Sequence, residues 1–213
     1  GSLFAYVLHS SFLGYKPHFF DPHTGKHIPS PLPDDNWGIA FNPAGPGLGY
    51  DHITSRGVEI CTLLDLSIFS AGLPGAVALP TCIGGDGYHY GFPWWSPDGQ
   101  SIAFYTDNPG EFPSSSPALF SSAGSAPLFS ISLAAPWASI LPRQVAEFNL
   151  YTMRPDTTQV TPLTNDRNTF NHRPLWSPDS RQIAYVSSKS YGDKGDAWVM
   201  NADGSDPKMI FEG

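Results

Sequence analysis

The chain has 213 residues, of which 14% are charged and 14% aromatic, with a formal net charge of −8. Only 11 residues are Lys or Arg and they form no run, which argues against nucleic-acid binding, because phosphate contacts need clustered cations. No apolar run reaches the length of a membrane-spanning helix, and 21 Gly with 22 Pro disfavour long helices and favour short strands joined by turns.

In chain order, residues 3–9 predict a strand and 16–20 a second, closed by the turn Asp21-Pro22-His23-Thr24-Gly25-Lys26. A third strand over 28–32 is confined to an edge by its prolines. Trp37-Gly38-Ile39-Ala40-Phe41-Asn42-Pro43-Ala44-Gly45 follows, and strands are predicted over 50–55, 58–66 and 76–83. Two more cover 88–95 and 102–106. Residues 108–147, rich in Ser, Pro, Ala and Leu, read as a long insertion between strands, with 128–133 as a candidate extra strand. The pattern resumes at 149–156 and 159–163. No signal peptide is recognisable at the start, and one already removed stays open.

Two segments repeat. Pro93-Trp94-Trp95-Ser96-Pro97-Asp98-Gly99-Gln100-Ser101-Ile102-Ala103-Phe104-Tyr105 matches Pro174-Leu175-Trp176-Ser177-Pro178-Asp179-Ser180-Arg181-Gln182-Ile183-Ala184-Tyr185-Val186. Each has an apolar stretch, a four-residue turn and a β-rich stretch. Residues 37–45 align with 91–99 as a degenerate copy. Further along, Tyr151-Thr152-Met153 with Asp156 matches Trp198-Val199-Met200 with Asp203, so both repeats occur in the same order. Units of roughly forty residues with four strands each are the blades of a β-propeller. The expected architecture is one all-β domain over 1–213. Its blades fall near 3–35, 36–86, 87–166 with the 108–147 insertion, and 167–213. The first blade lacks the Trp-Ser-Pro-Asp strand. The expectation is therefore either a small ring with one incomplete blade or part of a larger ring, whose open strand edges a partner or second copy would cover.

The motif Trp-Ser-Pro-Asp-Gly, then Ile-Ala-Phe, then Met-x-x-Asp-Gly-Ser, resembles the WD40-like PD40 repeat of TolB-type propellers. The resemblance covers 88–107 and 149–211 well and 36–66 weakly. It implies a propeller fold and a periplasmic or extracellular location, and it does not fix a function. In such a fold the first strand of each blade lines the central channel. This points to Asn36, Trp37, His89, Tyr90, Asn171, His172 and Arg173 as channel-mouth contacts. Such a set either holds a carboxylate, a sugar or a peptide end, or caps strands and carries ordered water.

No catalytic, cofactor or metal-ligating residue is assigned. His18, His23 and His27 surround a turn, and no HExxH occurs. The acidic turns 193–196 and 203–206 lack EF-hand spacing. There is no G-x-S-x-G elbow and no phosphate-binding loop. The family resemblance also reaches sugar lyases that bind a metal through channel histidines. His89 and His172 do not align with each other, which weakens that reading, and a divalent metal stays open at most. Cys61 and Cys82 fall on neighbouring predicted strands, as either a cross-strand disulfide of an oxidising compartment or two buried thiols. Trp95, Trp176, Trp198 and Tyr151 read as packing residues between blades. Trp94 is less explained, and Trp137 in the insertion is a natural anchor for a partner. The expected function is a non-enzymatic protein-binding or scaffold propeller, in a complex with a protein partner. The alternative is the propeller part of an enzyme: a metal-dependent sugar lyase, or the gating propeller of a prolyl-oligopeptidase-type peptidase.

Overall fold

The repeated turn closes on itself through its own side chains. Ser96 Oγ donates to Asp98 Oδ1 at 2.6 Å and accepts the Ser101 N–H at 2.9 Å. Asp98 Oδ1 also accepts the Gln100 N–H at 3.0 Å. Gly99 takes the left-handed φ of 71° that this turn requires. The copy at Ser177 and Asp179 makes the same bonds, with Ser180 at φ 60° in the glycine's place. These turns fix where each strand begins.

The computed structural model describes residues 4–10, 14–30, 32–36, 38–66, 80–85, 87–110, 112, 147–190 and 192–213. Among these there is no helix, and there are fifteen strands. Strands β1 (Phe4–Ser10), β2 (Gly14–Asp21) and β3 (Lys26–Ile28) form a three-stranded sheet. Strands β4 (Ile39–Phe41), β5 (Leu48–Thr54), β6 (Gly57–Leu63) and β7 (Thr81–Gly84) form a second sheet. The third holds β8 (Tyr90–Trp95), β9 (Ile102–Thr106), β10 (Asn149–Met153) and β11 (Thr161–Pro162). The fourth holds β12 (Phe170–Trp176), β13 (Gln182–Ser188), β14 (Asp196–Asn201) and β15 (Lys208–Phe211). Each sheet is an antiparallel meander in chain order, the pattern of propeller blades. The chain is an all-β propeller.

The sheets pack face to face. Phe19 of β2 meets Leu48, Tyr50, Cys61 and Leu63 of the second sheet. Ile60 and Ile83 on that sheet's other face meet Tyr90, Trp95, Ile102 and Phe104. Ala103, Tyr105 and Leu150 in turn meet Phe170, Ile183, Tyr185 and Met200. Strand β9 shows the logic: alternate residues serve the cores on either side, and all five are buried. Each such large apolar side chain contributes about 1.5–3 kcal/mol on burial.

Three details depart from the sequence expectations. The third strand is Lys26–Ile28 rather than 28–32, and Leu32 beyond it enters the core. Of the predicted strand over 76–83, the structure describes Thr81–Gly84 as strand, and 76–79 lie outside the described residues. The start of the insertion belongs to the blade. Asn108 is buried, its Nδ2 donates to the Tyr90 hydroxyl at 2.8 Å, and its carbonyl accepts the Tyr151 hydroxyl at 3.2 Å. Phe112 packs on Tyr90, Phe104 and Tyr151. Residues 113–146, with Trp137 and the candidate strand over 128–133, lie outside the described residues.

Candidate binding face on the inner strands

Strands β4, β8 and β12 each end a sheet, and they are where neighbouring sheets converge: β4 touches β8, and β8 touches β12. They are the inner strands. Two of them share an irregularity. The pairing of β8 with β9 shifts between Gly91 and Trp94, and that of β12 with β13 shifts between His172 and Leu175. Inside the two bulges, Phe92 and Arg173 sit at φ 50° and 56°. A proline follows each, Pro93 and Pro174, which has no N–H to give to a ladder. Left-handed backbone at a large L residue costs about 1–2 kcal/mol, so the same strain at the same repeat position needs a reason.

The bulge changes which side chains face outward. Phe92 and Trp94 of β8 are 41% and 45% exposed, and Leu175 of β12 is 47% exposed with Arg173 exposed beside it. Phe92 is not loose: its ring stacks on Tyr105 with centroids 5.9 Å apart. Tyr105 also packs on Phe148 at 4.8 Å and meets His172 edge-on at 6.5 Å. The Trp176 indole N–H donates to the Trp94 carbonyl at 3.1 Å, tying the two sheets together beside this face. Phe92, Trp94, Leu175 and Arg173 are therefore exposed side chains of two neighbouring inner strands, three apolar groups and one cation on a fixed frame.

The seven sequence-predicted contacts divide. Asn36, Tyr90 and Asn171 are interior, each no more than 1% exposed. Asn36 Nδ2 donates to the Pro33 carbonyl, and Tyr90 stacks on Phe104. Asn171 Nδ2 donates to Asp166 and Thr169, both at 3.2 Å. These residues lock the start of the inner strands. Trp37 lies outside the described residues. His89 is half-buried and accounted for by one partner. Asp107 Oδ1 accepts its backbone N–H at 2.7 Å, and Asp107 Oδ2 lies 3.2 Å from its Nδ1. The hydrogen bond to Asp107 raises the His89 pKa against the opposing effect of burial. His172 behaves oppositely: burial, and then Arg173 beside it, push its pKa down. Of the seven, Arg173 and the His172 ring reach this face. Phe92, Leu175 and Tyr105 join it without having been singled out from the sequence. Their signal was the shared proline one step after each bulge.

Cys61 and Cys82 are register partners on β6 and β7 and are joined in a disulfide. Among the described residues, one set of side chains has metal-ligand spacing: His52, Glu59 and Cys61, with donor atoms all within 4.8 Å of one another. The cysteine sulfur of that set is the bonded one.

No family model matches the chain, and no curated protein matches it. Solved structures do. A putative TolB from Agrobacterium tumefaciens superposes with a TM-score of 0.64 at 17% identity, over 99% of this chain and 61% of that one. TolB from Acinetobacter baumannii gives 0.60 at 16% identity, over 97% and 40%. A nidogen/laminin complex gives 0.51 at 12% identity, over 98% and 61%. Enzymes also share the architecture, among them an oligogalacturonate lyase from Vibrio parahaemolyticus at 0.51 and 12% identity, over 93% and 46%. The chain thus spans 61% and 40% of the TolB structures it matches, and at these identities the likeness is one of fold. With the Trp-Ser-Pro-Asp turns and the in-order four-stranded sheets, it shows that the chain has a TolB-like PD40 β-propeller fold.

Proposed function

We propose that this chain is a single propeller domain that binds a protein partner without catalysing a reaction, in the periplasm or outside the cell. The observation that carries the reading is the exposure of Phe92, Trp94 and Leu175 with Arg173. Three large apolar side chains, each more than 40% exposed, lie with an arginine on two neighbouring inner strands. Aromatic residues and arginine are the side chains that dominate protein–protein hot spots. The strained backbone at Phe92 and Arg173 lends support, because strain of this kind collects at functional sites. The Cys61–Cys82 disulfide fits an oxidising compartment. The 108–147 insertion, through Trp137, is a second contact in this reading.

The test is a photo-crosslinking side chain placed at Phe92 in the native source. A discrete protein adduct that disappears with Trp94→Ala, while the fold by circular dichroism is retained, supports the reading. Trp137→Ala is expected to weaken the same adduct. Adducts that are absent, or indifferent to Trp94→Ala, would sink it.

A further inference from the structure

One face of the second sheet carries a cluster that the binding reading does not use. Register places His52 of β5 opposite Glu59 of β6, and Tyr50 opposite Cys61. Cys61 is in turn opposite Cys82 of β7. Directly opposed residues share a face, as do residues two apart along a strand. Tyr50, His52, Glu59, Cys61 and Cys82 therefore stand together.

Glu59 is mostly buried there. Its side chain is 15% exposed, and its ion-pair partner is Arg56, 3.9 Å away and itself 76% exposed. A carboxylate so far out of water is costly unless paired. Beside the Glu59 carboxylate stand an imidazole and a sulfur: the donor atoms of His52, Glu59 and Cys61 all lie within 4.8 Å of one another. Zinc bonds sulfur, nitrogen and oxygen at about 2.0–2.3 Å, so ligands of one ion lie within roughly 4.6 Å of each other. The spread of His52, Glu59 and Cys61 is nearly that of a zinc site already, and Cys82, outside that set, is brought to it by its bond to Cys61. What prevents ligation is the bond between Cys61 and Cys82 sulfurs.

We propose that reducing the Cys61–Cys82 disulfide opens a Zn²⁺ site formed by His52, Glu59, Cys61 and Cys82. In the step, a dithiol gives two electrons and two protons. The S–S bond of the protein breaks, two thiols form, and the dithiol becomes a disulfide. Zn²⁺ then displaces both thiol protons to water and bonds the two thiolates, the imidazole and the carboxylate. Two thiolates select zinc over calcium and magnesium. Exchange with a small-molecule disulfide re-forms the bond: that disulfide takes up two electrons and two protons to become two thiols and Zn²⁺ is released, so the sheet holds either the bond or the ion.

The experiment titrates Zn²⁺ into the full chain, oxidised and phosphine-reduced, against a chromophoric chelator, with Co²⁺ absorption as a second readout. The expected result is one Zn²⁺ per reduced chain and none per oxidised chain. Reduced protein should also show a thiolate-to-Co²⁺ charge-transfer band. His52→Ala and Glu59→Gln should each weaken Zn²⁺ binding by about tenfold or more, since loss of even an outer-shell partner commonly costs that much. Cys82→Ser leaves Cys61 free without any reductant, and should bind Zn²⁺ under oxidising conditions, more weakly than the reduced parent. Equal uptake in both redox states overturns the proposal, as does binding unchanged by His52→Ala and Glu59→Gln. Loss of the near-UV circular dichroism on reduction overturns it too, because the site needs the folded sheet.

Discussion

The third and fourth sheets are two copies of one plan in different surroundings. They share the Ser-Pro-Asp turn, the inner-strand bulge and the left-handed residue inside it. They differ in what covers them. The third sheet has packed neighbours on both faces, and every residue of β9 is buried. The corresponding β13 is only partly buried, and in β15 Met209, Ile210 and Phe211 are 50%, 62% and 67% exposed. The local plan is therefore dictated by turn chemistry, and the stability each copy gains is dictated by its neighbours.

The largest expected effect tests that difference directly. Phe104 is fully buried and stacks with Tyr90, Phe112 and Tyr151. Its counterpart Tyr185 has, among the described residues, one such ring contact, to Trp198. Phe104→Ala should cost about 3–5 kcal/mol in denaturant unfolding. Tyr185→Ala should cost less. Equal losses would mean that the surroundings of the two sheets do not set their stability.

A second pair sharpens the comparison at the bulge. Arg173→Gly removes the cost of a left-handed arginine and should stabilise the fold by up to about 1 kcal/mol. Phe92→Gly relieves the same strain but loses the ring stacked on Tyr105, and should not stabilise. If these exposed side chains are a binding face, Arg173→Gly should also weaken partner capture. A gain in stability with no loss of binding would leave the strain unexplained by function.

How much of this was legible in the sequence follows from the same contrast. Strand positions and the propeller plan could be read because turn residues recur at fixed offsets, as Ser96 and Asp98 do at Ser177 and Asp179. The face of each inner-strand residue could not be read. A strand without a bulge alternates faces, and one extra residue resets that alternation. Tyr90 and Asn171, expected at an opening, are interior for this reason, while Phe92 and Leu175 emerge. Asn108 was assigned to the insertion because its neighbours are loop-forming in type. Its place in the blade depends on Tyr90 and Tyr151, the latter 43 residues away, which no local pattern reveals.

A smaller effect should separate the two Ser-Pro-Asp turns. Both aspartates are held below the usual carboxylate range, first by the serine hydroxyl and then by a backbone N–H. Of the two, Asp98 is also tied to the neighbouring sheet: its backbone N–H donates to Ser180 Oγ at 3.1 Å, and the Ser180 hydroxyl also hydrogen-bonds its carboxylate, a bond that alanine would lose. Asp98→Ala should cost about 1 kcal/mol, the usual worth of such a hydrogen bond. Asp179→Ala should cost less. The ranking is checked by urea midpoints measured side by side.

The smallest effect is one of sign, read from pH. His89 and His172 flank the starts of β8 and β12, and their environments oppose each other. The folded pKa of His89 is raised by its bond to Asp107. Its contribution is therefore fully present below the unfolded value of about 6.5, and is lost as pH rises through the folded value. The folded pKa of His172 is lowered by burial and by Arg173. The fold then refuses a proton that the unfolded chain accepts, so stability falls as pH drops from about 6.5 through the folded value. Melting curves across roughly pH 5–8 should separate the two. Against wild type, His89→Gln should lose most stability at the acid end, with Asp107→Asn following the same slope. His172→Gln should gain relative stability there. The position equivalent to the His89–Asp107 pair in the fourth sheet is Phe170 with Ser188, which cannot titrate. The acid-side stabilisation is thus a property of the third sheet alone within this pair, at the root of the insertion. Parallel slopes for His89→Gln and His172→Gln would show that the two sheets do not differ electrostatically at their inner ends.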